Sequence, residues 1–156
     1  MQRLLPPALI AAALIATPAF AADLTVQNAW SRPAQAGMNG VGFMTIVNSG
    51  KKPVKLVSVE TSLAGKAELH QSSMTNGVMT MRRLDQGVII APGGKLELAS
   101  GGYHLMLLGL KQPLKVGQKA PVTLIFEKRR RITVDLTVRI ASPQSLKGSG
   151  SEHHHH

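Results

Sequence analysis

The sequence contains no cysteine, which excludes a disulfide scaffold, a thiolate metal site and a cysteine nucleophile together. Aromatic residues are nearly as scarce: once the first twenty-one residues are set aside, only four remain, Trp30, Phe43, Tyr103 and Phe126. Carboxylates are few, 8 Asp and Glu against 18 Lys and Arg, for a formal charge of +10. A solvated basic surface accounts for most such excesses, and a positive face that docks an acidic partner is the more specific reading. Long apolar runs are missing too. The stretch from Ala8 to Ala16 is flanked by Pro6, Pro7 and Pro18 and falls short of the ~20 residues that a membrane-spanning helix needs.

With Met1-Gln2-Arg3 before that stretch and Ala19-Phe20-Ala21 after it, residues 1–21 read as a secretory signal peptide cleaved after Ala21. The expectation is a periplasmic protein with no stable membrane insertion, and nucleic acid is not a sensible partner for it. At the other end Gly148-Ser149-Gly150-Ser151-Glu152 leads into His153 to His156, so residues 148–156 read as a linker and partial affinity tag. The remaining residues 22–147 are the length of one domain and suffice to close a core without covalent staples.

Within that domain apolar and polar residues alternate over short runs rich in Val, Ile, Leu and Thr, with turn residues between them, the pattern of an all-β sandwich or barrel. No convincing helix is present. Candidate strands are Leu24 to Trp30, Gly40 to Val47, Val54 to Glu60, Lys66 to His70, Gly77 to Arg82, Val88 to Ile90, Lys95 to Leu98, Tyr103 to Leu108, Val122 to Glu127 and Ile132 to Ile140. Asn48-Ser49-Gly50, Pro92-Gly93-Gly94 and Ser100-Gly101-Gly102 supply turns between them. So many strands exceed what one open sheet usually carries, which points to two packed antiparallel sheets with Greek-key connections. Lys128-Arg129-Arg130-Arg131 falls between the last two strands and reads as a charged hairpin tip.

Four of the six histidines lie in the tail, which leaves His70 and His104. Apart from Met1 there are six methionines, and four of these, Met74, Met79, Met81 and Met106, share a segment with both histidines. A thioether is a soft, neutral ligand that favours Cu(I), and imidazole also serves copper, so a mixed set selects copper over calcium, magnesium or manganese. Zinc sites use Cys, His and carboxylate instead. Outside the cytosol a thiol is prone to oxidation, whereas a thioether stays a ligand short of the sulfoxide. Side chains two residues apart on a strand share a face, so His104 and Met106 point together, away from Leu105 and Leu107. Met79 and Met81 share a face in the same way, and His70 stands at the end of its candidate strand. Against this stands the plainer use of methionine as flexible core filler.

At these residues the sequence resembles the periplasmic copper-chaperone family PCuAC, whose pattern is a His, ten residues, a Met, about twenty-one residues and His-x-Met. Here ten residues separate His70 from Met81, and twenty-two separate Met81 from His104-Leu105-Met106. The additional residue is accommodated in the loops around Asp85-Gln86-Gly87 or Pro92-Gly93-Gly94. Glu68-Leu69-His70, Gly77-Val78-Met79, Ala91-Pro92-Gly93-Gly94, Gly101-Gly102-Tyr103-His104, Ala29-Trp30-Ser31-Arg32-Pro33 and Gly42-Phe43-Met44 extend the likeness over nearly the whole domain.

The resemblance implies a cupredoxin-like β-sandwich and one Cu(I) bound near the surface by His70, Met81, His104 and Met106. It implies transfer to a periplasmic acceptor, such as the Cu_A subunit of a haem-copper oxidase, often beside a Sco-type thiol protein. The His/Met-rich tail of some relatives, with its second copper site, is absent here. Such a site is a carrier and not an enzyme. Met74 and Met79 are candidate auxiliary donors. The competing functions are copper sequestration for tolerance, through the same residues, and a metal-free β-sandwich interaction module whose methionines are core. A blue-copper electron carrier needs a His₂Cys set, and no nucleophile-elbow sequence supports a hydrolase.

Overall fold

The structure is a computed structural model that describes residues 23–140. The signal peptide expected up to Ala21 and the tail from Gly148 to His156 lie outside the described residues. Ten strands run in chain order: β1 (Leu24–Ser31), β2 (Gly40–Asn48), β3 (Val54–Glu60), β4 (Ala64–Thr75), β5 (Val78–Arg83), β6 (Val88–Ile90), β7 (Lys95–Leu98), β8 (Tyr103–Leu110), β9 (Lys119–Phe126) and β10 (Arg131–Val138). A single 3-10 turn, Glu127–Arg129, joins β9 to β10, so the basic run does sit at a hairpin tip. Among the described residues no helix is long and apolar enough to cross a membrane.

The all-β class is as the alternation implies, but the sheet arrangement differs from two separate antiparallel sheets. The strands form one continuous hydrogen-bonded ladder, in the order β5-β4-β8-β7-β2-β1-β10-β9-β3-β6. It folds over on itself, so that β3 lies against β4 although the two stand far apart in the ladder. Continuity comes from strands that serve both layers. The start of β2, Gly40 to Gly42, pairs with β8, and its later part, Met44 to Val47, pairs with β7. In β1 an additional residue near Asn28 (φ 52°) shifts the register against β2, and a bulge of this kind bends a strand. Beyond it, Trp30 and Ser31 pair in parallel with Thr137 and Val138 of β10. A second parallel contact joins Leu98 to Tyr103. Both depend on the path of the chain through space, which strand periodicity does not encode.

The core lies between the folded-over layers and includes Ile46, Leu56, Leu69, Leu105, Leu107, Leu124, Phe126 and Leu136. Gly42 permits a close approach within this core: a Cβ there would stand 3.0 Å from Leu136 Cδ1 and 3.3 Å from Leu105 Cβ. Burying Leu105 and Leu107 completely fixes which way β8 faces, because alternate residues must then point away from the core. These are His104 and Met106.

Candidate metal centre

The site is built on the three strands at one end of the ladder, β5-β4-β8. His70 on β4 stands directly opposite His104 on β8, and Glu68 opposite Met106. On the other side of β4, Ser72 stands opposite Met81, His70 opposite Arg83 and Met74 opposite Met79. Paired residues share a face, and so do residues two apart along a strand. His70, Met81, His104 and Met106 therefore project from one face, as do Glu68, Arg83, Met74 and Met79.

His70 does not end its strand as the sequence suggested. It lies in the middle of β4, paired on both sides. Alternation fades after residue 70 because the hairpin extends past the core, where β4 from Ser73 to Thr75 and all six residues of β5 are exposed. The signal available there was Asn76-Gly77, both at positive φ (51° and 77°). That is the two-residue turn whose twist matches paired strands. Counting back from it pairs Thr75 with Val78 and brings Met81 opposite Ser72.

The two imidazoles are neighbours, with ring centroids 5.9 Å apart and planes inclined at 55°. His104 is buried, with 5% of its surface exposed. Its Nδ1 is 3.1 Å from the carbonyl oxygen of Gly102. A carbonyl only accepts, so Nδ1–H donates and the lone pair of the neutral ring is on Nε2. His70 has the reverse arrangement: Nε2–H donates to Glu68 Oε2 at 2.7 Å, and Nδ1 is buried without a hydrogen-bond partner. A buried nitrogen with no partner is costly in a metal-free protein. Each ring thus has one nitrogen oriented by the protein and one left to accept a Lewis acid, the tautomer control found around metal-bound histidines.

Glu68 is held in turn by Arg83, whose Nη1 is 3.3 Å from Glu68 Oε1 and whose guanidinium also pairs with Asp85. The hydrogen bond from His70 holds the Glu68 carboxyl below its ordinary value; burial pushes it up, and Arg83 draws it down again. Asp85 and then Glu68 raise the guanidinium of Arg83. Glu68 was not singled out among the sequence candidates, yet its position two residues before His70 put it on the same face.

The thioethers differ in environment. Met106 is half-buried on β8, whereas Met81 is 54% exposed on β5. Among the described residues no three His, Cys, Asp or Glu side chains come together in a cluster fit for a metal. The two thioethers flank the imidazoles on this face, Met81 one same-face step toward the hairpin tip and Met106 one step the other way, and soft donors of this kind suit a soft metal.

Residues 24–138 match the family described as "Putative lipoprotein LpqE-like". The described fold is similar to the apo PCuAC domain from PmoF1, with 30% identity over 76% of this chain and 95% of that one, at a TM-score of 0.63. It is also similar to DR1885 from Deinococcus radiodurans, with 33% identity over 89% of this chain and 93% of that one, at a TM-score of 0.57. The chain belongs to the PCuAC family, within its LpqE-like members. DR1885 has been solved with Cu(I) as well as in the apo form. A curated relative of the PCuAC chain, "Putative lipoprotein Lxx21020" of Leifsonia xyli subsp. xyli, is 40% identical over 111 residues, covering 70% of this chain and 66% of that one. The cupredoxin-like sandwich of the PCuAC domain is the fold described above.

Proposed function

We propose that this PCuAC domain is an extracytoplasmic copper chaperone that holds one Cu(I) through His70, Met81, His104 and Met106 and releases it to an acceptor. The reading rests above all on the four side chains sharing one face of β5-β4-β8, with the two imidazoles 5.9 Å apart. Neutral imidazoles and thioethers bring no charge of their own, and soft donors of this kind suit Cu(I). His104 supplies Nε2, and His70 supplies Nδ1 with Glu68 steadying the ring from behind. The names of the relatives favour an envelope location, and a periplasmic place after signal cleavage is part of the same proposal.

Cu(I) has a filled d shell and little geometric demand, so an incoming ligand can displace these donors one at a time without free copper appearing. The acceptors that suit this exchange are the Cu_A subunit of an oxidase or a Sco-type thiol protein. The proposed role is carriage, with no substrate bond made or broken.

The test is titration with Cu(I), or with Ag(I) as its redox-inert surrogate, of protein in which His153, His154, His155 and His156 are each replaced by alanine. One equivalent should bind tightly at the four-ligand site, and free metal at about a hundred times Kd should stabilise the fold by about 2.7 kcal/mol. The double variant H104A/M106A should lose both effects. Full affinity in that variant would remove the assignment.

A further inference from the structure

The tip of the β4–β5 hairpin carries a second pair of thioethers that the four-ligand site does not use. Met74 and Met79 stand directly opposite one another, on the face that also bears Met81 and His70. Their Cβ atoms should lie roughly 4.5–5.5 Å apart, as for any directly opposed pair. Both are open to solvent, Met74 at 63% and Met79 at 52%, so neither is core filler. An edge strand is normally protected by charge or proline, yet this one also exposes Val78 and Met81. Successive same-face positions are about 6.8 Å apart along a strand at ~3.4 Å per residue. One such step leads inward from the Met74/Met79 pair to Ser72/Met81, and the next to His70/Arg83. The face therefore grades from two exposed sulfurs at the tip, through Met81, to the half-buried His70 and the buried His104.

From this gradation we infer that Met74 and Met79 form an outer station for a soft monovalent cation, Cu(I) in the cell, through which metal enters and leaves the inner site. A two-sulfur site suits an ion with so little geometric demand and holds it more weakly than the four-donor set, as an exchange point must. Movement inward forms a bond to the sulfur of Met81 while a bond to Met74 or Met79 breaks; the metal stays monovalent and no proton moves. The inference rests on the inner copper site proposed above, but its test separates the two.

The test is an Ag(I) titration of the tail-substituted protein carrying ¹³C-labelled methionine methyl groups. The first equivalent should shift Met81 and Met106, and the second should shift Met74 and Met79. Met38 is an internal control, since it is 61% exposed but has no methionine opposite it, and its methyl should stay fixed. The variant M74L/M79L should keep the first equivalent, which also shows that it is folded, lose the second, and release Ag(I) to an added thiol more slowly. Static Met74 and Met79 methyls through two equivalents, equal shifts at Met38, or retention of both equivalents by the variant would overturn the inference. Shifts at Met74 and Met79 with none at Met81 and Met106 would uphold an outer metal site and overturn the inner one.

Discussion

The proposed ligands stand on two unlike pieces of the sheet. Strand β8 is paired with β4 along most of its length and with β2 near its middle, and its inward residues Leu105 and Leu107 are fully buried. Strand β5 pairs only with β4 and is exposed at all six positions. His104 and Met106 thus ride on a strand that cannot shift without opening the core, while Met81 rides on an edge hairpin that can open at little cost. A carrier needs both properties, a fixed half that defines the site and a loose half that lets metal out.

The largest effect that would sharpen this contrast is on stability. Replacing Leu105 by alanine should destabilise the fold by about 2–5 kcal/mol, as for other buried leucines. The change M81A should stay within about 0.5 kcal/mol, as expected of an exposed site. Denaturant unfolding of the two variants measures both, and equal losses would erase the distinction between the strands.

The next effect concerns the support behind His70. The variant E68Q keeps the shape of the side chain but removes the carboxylate, and loss of such an outer partner typically lowers metal affinity about 10–100-fold. Competition titration with Ag(I) reads this directly. On the loose half, M81L should weaken binding chiefly through a faster off-rate and leave the unfolding midpoint unchanged.

The smallest effect is a pH dependence of the metal-free protein. The Glu68 carboxyl is held below its ordinary value in the folded state, mainly by His70. Its contribution to stability is therefore complete above the ordinary carboxylate range and is lost as pH falls through the lower folded value. Between neutral pH and that range E68Q should change only the level of stability; below it, the acid-side slope should be shallower in E68Q than in the parent. Denaturant midpoints measured from neutral to acid pH would show this.

Much of this was legible in the chain itself. Every strand overlaps a run expected from the sequence, and outside the β4–β5 hairpin tip the alternation holds because the strands bury one face. The outward direction of His104 and Met106 follows from the leucines beside them. The pairing of His70 with His104 was not legible, since it is set by non-local strand register and not by any local pattern. The same holds for the parallel contacts of β1 with β10 and β7 with β8. The far end of β4 escaped notice because a hairpin standing clear of the core has no buried face to impose alternation, and only its Asn76-Gly77 turn marks it.

That turn also carries an arithmetic of odd and even. With Asn76-Gly77 at the bend, Met81 falls opposite Ser72 and so looks the same way as His70. One residue inserted between the bend and Met81 would move the sulfur opposite Gln71 and send it to the reverse side. Two would restore its direction, but one rung nearer the base. The length of this short arm is thus as much a part of the chemistry as the side chains it displays, and parity alone would separate working from idle versions of the hairpin.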